Sequence, residues 1–250
     1  MIKFERILHL RSAVVLVSVL AATQAAPQTP NATAVIRGID QAVHYRVDHI
    51  AGYTVTERYA VFRGNDEKNS VAAMTVMTTY RRDTGKSYTI LSQSGSSIIR
   101  KFGLDPILER EKEINEPGNV QHAWITSANY DMTLKPGMQT LDGRACYVLS
   151  INPKEKAPNL IIGAIWVDAK DYTIVRLEGV ASKAPSIFAG TTHMMRQYAD
   201  IDGFSMATHA RAESSTFLYG KTVVTIDYAG YHIDLRQGAS ARAPASHKMQ

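Results

Sequence analysis

The sequence predicts an α+β fold: one large, strongly curved antiparallel sheet with helices grouped in two places over its inner face. Two observations carry this. Helical spacing of apolar residues occurs only near residues 31–49 and 97–127, whereas alternating strands separated by turn residues fill most of the remainder. The helices do not alternate with the strands, so β-α-β winding with a parallel sheet is excluded.

The elements follow in order. Residues 1–25 have the three parts of a secretory signal: basic Lys3, Arg6 and Arg11, an apolar run from Ala13 to Ala22, and small residues at Thr23-Gln24-Ala25. That apolar run is shorter than the roughly 20 residues a spanning helix needs. After a linker at 27–30, Asn31 or Thr33 caps a helix to about residue 49, with Ile36, Ile39, Val43, Val47 and Ile50 forming one stripe. Strands are expected over 53–63, 71–82 and 86–92, joined by turns at Gly64-Asn65-Asp66 and Asp83-Thr84-Gly85. A second helical region spans 97–114. Asp105-Pro106 interrupts it, since proline suits only a first helical turn. A short helix near 120–127 precedes a strand over 129–135. Strands then follow over 144–152, 160–168, 171–181, 191–200, 203–218 and 221–235. The Asp142-Gly143 pair opens this series with a hairpin signal. The organisation is thus a signal at 1–25, one domain over 26–236 and a basic tail at 237–250, whose Ala, Ser and Pro content suits disorder.

The net charge of +5 resides in the two ends: +2 within 1–25 and +3 from Arg236 onward, which leaves the folded part near neutral. A nucleic-acid binder carries positive charge on the fold itself, so that class is excluded. The tail offers only a weak peripheral attraction to anionic lipid. The single cysteine, Cys146, can form no internal disulfide and reads as a buried structural thiol.

No catalytic or metal constellation emerges. Asp168 and Asp171 bracket Ala169-Lys170 as turn formers. His122, His193 and His209 fall on separate elements without zinc-ligand spacing. Ser94-Gly95-Ser96-Ser97 lacks the frame of a nucleophile elbow and reads as a loop and helix cap. Arg176 and Glu178 share a strand face as a ladder pair.

Between residues 129 and 188 several short motifs occur in order: Asn129-Tyr130-Asp131, Asp142-Gly143-Arg144-Ala145-Cys146-Tyr147-Val148-Leu149, Asn152-Pro153-Lys154, Gly163-Ala164-Ile165-Trp166-Val167-Asp168, Ile174-Val175-Arg176-Leu177-Glu178-Gly179 and Pro185-Ser186-Ile187-Phe188. In these the chain resembles the LolA-like outer-membrane lipoprotein-sorting family, whose relatives include LolB and RseB. The resemblance is strongest over about 129–230 and extends back to residue 34. It implies an unclosed β-barrel capped by helices, with an apolar cavity between them, in a periplasmic protein that uses no metal or organic cofactor. It also implies a non-enzymatic carrier whose partner is a lipid or an acylated lipoprotein. The alternative it offers is an RseB-type interaction module that docks an envelope protein.

A cavity for acyl chains needs adaptable apolar lining, for which methionine is well suited. Met74 and Val76 share one strand face, as do Val224, Ile226 and Tyr228, and as do Phe204 and Met206, because side chains repeat every two residues. These seven and Trp166 are the candidate ligand-binding residues. Alternation alone leaves open which face is concave.

Overall fold

The computed structural model describes residues 31–183, 191–216 and 220–239. The signal at 1–25, the tail from 240 and the motif at Pro185–Phe188 lie outside the described residues.

Helix α1 (Ala32–His49) begins where Asn31 accepts a hydrogen bond from the Thr33 amide at 2.9 Å. Ten strands follow: β1 (Ile50–Arg63), β2 (Ala72–Arg81), β3 (Gly85–Gly95), β4 (Tyr130–Leu141), β5 (Arg144–Pro153), β6 (Ile161–Asp168), β7 (Ile174–Ala181), β8 (Thr192–Ile201), β9 (Phe204–Thr216) and β10 (Gly220–Leu235). They form one antiparallel sheet in the order β3-β2-β1-β10-β9-β8-β7-β6-β5-β4. The edge strands β3 and β4 do not pair with each other, so the sheet is an unclosed half-barrel. Every neighbouring pair except β1–β10 is consecutive in sequence, so hairpins build almost the whole sheet and the long β1–β10 ladder joins the β3-β2-β1 run to the run from β10 to β4. At the β4–β5 hairpin Asp142 and Gly143 both have positive φ, 49° and 76°, the backbone that a two-residue turn between twisted strands requires.

The second helical segment is continuous from 97 to 114 but changes pitch. Helix α2 (Ser97–Ile99) runs into a π-helical turn (Arg100–Leu104), and α3 (Asp105–Ile114) carries Pro106 in its first turn. Proline has no N–H and crowds the carbonyl four residues earlier, so the chain widens: the Asp105 amide bonds to the Arg100 carbonyl, five residues back. A single 3₁₀ turn (Val120–Ala123) takes the place of the expected helix over 120–127. Strand β4 runs past the expected end at 135. It is an edge strand, and Lys135-Pro136-Gly137 form a bulge between the Leu134–Leu149 and Met138–Tyr147 pairs, where no ladder bond is lost to proline.

Two layers result, and the helices divide the concave face between them. Val35 and Ile39 of α1 pack into a cluster with Leu149, Ile151, Ile161, Ile165 and Leu177 of β5–β7. Leu104 and Leu108 of the second segment pack on Tyr59, Val61, Met74, Val76 and Ile226 of β1, β2 and β10. The Asp40 carboxylate fixes the position of α1 by accepting from the Ser127 amide at 2.8 Å and the Ser127 hydroxyl at 2.6 Å.

Candidate functional site

Strand β1 alternates with its odd-numbered residues toward the helices: Tyr53, Val55, Glu57, Tyr59 and Val61. Register then carries the phase across the sheet. Tyr59 pairs with Met74 on one side and Ile226 on the other, and Glu57 pairs with Val76 and Tyr228. Ile226 pairs with Ala210, and Ala210 with Arg196. The concave face is therefore apolar along β2 and β10, with charged groups at its centre and flanks.

The structure places Met74, Val76, Val224, Ile226 and Tyr228 together in the cluster beneath Leu104 and Leu108. Phe204 and Met206 lie in the adjoining cluster with Ile50, where the Tyr45 ring of α1 stacks on Phe204 at 5.7 Å between centroids. Trp166 is on the other side of the sheet. Its neighbours Ile165 and Val167 point into the cluster under α1, so Trp166 points outward. There its indole N–H donates to Gln139 Oε1 at 2.9 Å, and the Arg176 guanidinium sits 5.6 Å from its ring centroid. The strand motif around Trp166 could not reveal this, because facing depends on which way the sheet curves.

The sequence reading missed the polar centre of this face. Lys86 of β3 reaches Glu111 of α3 at 2.8 Å and Glu57 of β1 at 4.0 Å, while Arg196 of β8 lies 3.9 Å from Glu111. Tyr59 donates to Glu57 Oε2 at 2.5 Å. This cluster ties the second helical segment to three strands. Glu57 was visible in the sequence as a carboxylate in the apolar phase of β1. Its partners stand on distant elements and share no local pattern with it.

The electrostatics favour fixed charge. Burial opposes ionisation of Glu111, but Lys86 and Arg196 outweigh it and hold its carboxyl down to about 2. Burial also works against the Lys86 ammonium, yet Glu111, Tyr53 and Glu57 hold its pKa well above the ordinary value. Burial raises the phenols of Tyr59, Tyr88 and Tyr228 further. All these shifts move away from neutrality, the opposite of what a general acid or base requires. The two hydroxyls of the cross-strand pair Thr78 and Tyr88 are buried without a hydrogen-bond partner among the described residues.

Elsewhere the turn readings hold. Asp168 accepts from the Lys170 amide at 2.8 Å, and Asp171 from the Thr173 amide at 2.9 Å. Arg176 and Glu178 pair at 2.5 Å on the convex face. Cys146 is buried. No cluster of three metal-ligating side chains occurs among the described residues. An open groove of ≈ 590 Å³ between the β2–β3 turn and α3 is lined by charged groups, including Glu109, Arg110, Lys112 and Glu113, with Lys86 linking it to the buried cluster.

No family model matches the chain, and no curated protein sequence matches it. Among solved structures, the chain is similar to a DUF1329 family protein from Desulfovibrio piger at 17% identity, covering 80% of this chain and 93% of that one with a TM-score of 0.40. It is similar to a LolA superfamily protein from Nitrosomonas europaea at 12% identity, covering 83% and 96% with a TM-score of 0.42. It is also similar to an outer membrane lipoprotein-sorting protein domain from Vibrio parahaemolyticus at 13% identity, covering 80% and 93% with a TM-score of 0.44.

Proposed function

We propose that this protein is a non-enzymatic carrier in the periplasm that holds the acyl chains of a lipid or lipoprotein against the concave face of its sheet. The observation that carries this reading is the packing of Leu104 and Leu108 on Met74, Val76 and Ile226. An apolar sheet face is covered there by a helical segment with a π turn in its middle, rather than by a uniform helix. Lifting that segment would expose an apolar trough along β2 and β10, bounded at the centre of the face by Glu57 of β1. An acyl chain entering it would replace the leucine contacts, and each buried CH₂ contributes about 0.8 kcal/mol. The methionine at its floor adapts to chains of varied shape.

The ionic cluster gives the trough its gate. Lys86, itself paired with Glu57, and Arg196 hold Glu111 and so keep α3 down when the trough is empty. Native mass spectrometry of the gently purified secreted protein tests the proposal. Retention or uptake of a fatty-acyl species is the expected result. A protein that neither retains nor accepts one, under conditions in which it remains folded, overturns it.

A further inference from the structure

Four exposed large apolar side chains fall within thirteen consecutive residues: Ile90 (52% exposed), Leu91 (53%), Ile98 (69%) and Phe102 (73%). They sit at the end of edge strand β3 and on the helical segment that follows, joined by the turn at Gly95-Ser96. Strand rise and helix rise together confine them to a patch roughly 20 Å across. Apolar groups concentrated this way on a soluble surface mark a docking site.

The charge within this stretch is of one sign, and the first acidic residue after it is Asp105. From Lys86 to Leu104 the chain contains no Asp or Glu, and its cations are Lys86, Arg100 and Lys101. Lys86 is spent on Glu111 inside. Arg100 is held at the corner by donating to the carbonyls of Ser94 (2.9 Å) and Gly95 (2.6 Å), and it makes no ion pair among the described residues. Lys101 stands beside the Phe102 ring, its ammonium 5.9 Å from the centroid. Lys101 likewise makes no ion pair among the described residues, so two cations stand next to the most exposed apolar groups.

Edge geometry argues against an added strand as the occupant. Ile90 pairs with Val76 and Ser92 with Thr75, so Leu91 is the extra residue of a bulge in the middle of the free edge. A bulge twists an edge and interrupts the ladder that a partner strand would need.

We propose that residues 90–102 form a membrane-docking surface for anionic phospholipid. Ile98 and Phe102 enter the acyl boundary while Arg100 and Lys101 lie among the headgroups, the arrangement by which amphipathic helices lie in an interface. Ile98 and Phe102 lie on the outer side of the segment whose Leu104 faces the trough, and Ile90, paired with Val76, lies at the trough's edge.

Flotation of the secreted protein with vesicles tests it, using phosphatidylcholine alone and phosphatidylcholine with phosphatidylglycerol. Binding is expected to the anionic vesicles only and to weaken in high salt. Ile98→Asp and Phe102→Asp should each lower vesicle binding by about tenfold, the loss expected for one large apolar side chain kept out of the bilayer. Both residues are exposed, so melting temperature should not change. Lys101→Glu, which leaves the apolar groups in place, should weaken binding severalfold. Absence of binding to the anionic vesicles, or binding unchanged in the two aspartate variants, overturns the proposal. So does a wild-type dimer in sedimentation that either aspartate variant converts to monomer, since the patch would then be a contact between two copies. Loading of single phospholipids into the trough would occur from phosphatidylcholine vesicles as well and would be unchanged in Ile98→Asp and Phe102→Asp, so the failure of docking and the failure of the carrier reading are distinguishable.

Discussion

Glu111 is held ionised by two cations in a partly buried site, and this gives the fold a defined acid sensitivity. Its folded-state pKa of about 2 lies below the ordinary value of 4.5, so the stabilisation is complete above about pH 4.5 and is lost as pH falls toward 2. The contribution is about 2 kcal/mol, taking roughly 1.4 kcal/mol per pH unit and discounting for the carboxylate's partial exposure. Urea unfolding at a series of pH values should show the parent protein weakening through that window. Glu111→Gln should be less stable at neutral pH by about 3 kcal/mol, because it breaks the Lys86 pair, and should be much flatter below pH 4.5. Gly38 offers a second test, in α1. Alanine normally favours a helix by about 1 kcal/mol over glycine. Here, however, a Cβ at residue 38 would lie 2.4 Å from Cγ of Tyr172. That atom is the root of the ring and has little freedom to move, so Gly38→Ala should lower the thermal midpoint despite its helix propensity.

Among the elements, the second helical segment has the most to reveal. Leu104 is fully buried beneath it, and Leu104→Ala should cost about 2–5 kcal/mol by opening a cavity over Met74 and Tyr59. If that space is where an acyl chain goes, the same variant should take up a fluorescent fatty acid more tightly while being less stable. Strand β10 gives the other element-scale prediction. It pairs with both β1 and β9 and so joins the β1–β3 strands to the rest of the sheet. A chain of residues 27–239 should melt like the full protein, and one ending at 219 should fail to give a cooperative transition. Most elements were legible because each rests on local signals: Asn31 as a cap, Asp142-Gly143 as a turn, two-residue alternation in the strands. Misjudged boundaries came from the tertiary setting. Pro136 reads as a strand end, yet it is accommodated because β4 is an edge. The candidate site was legible only as sets of residues sharing a face. The alternation of Ile165-Trp166-Val167 could not say which face was concave, and Trp166 lies on the convex one. Nor could spacing join Glu57, Lys86, Glu111 and Arg196, since four elements must first fold together.

At the scale of the molecule, an open sheet is divided between two helical covers of different character. Helix α1 is capped at Asn31 and fixed through Asp40 to Ser127, and it seals β4–β7. The second segment covers β1, β2 and β10 with a wider turn in its middle and one ionic cluster as its main polar anchor. On this account the α1 half is the scaffold and the other half opens. Hydrogen exchange followed by mass spectrometry, with and without palmitate, tests that most directly. Ligand-free protein should exchange faster over 97–114 than over α1, and palmitate should change exchange over 97–114 and over β1, β2 and β10 while leaving α1 unaltered. Equal protection of the two helical covers, with no change anywhere when palmitate is added, would contradict it.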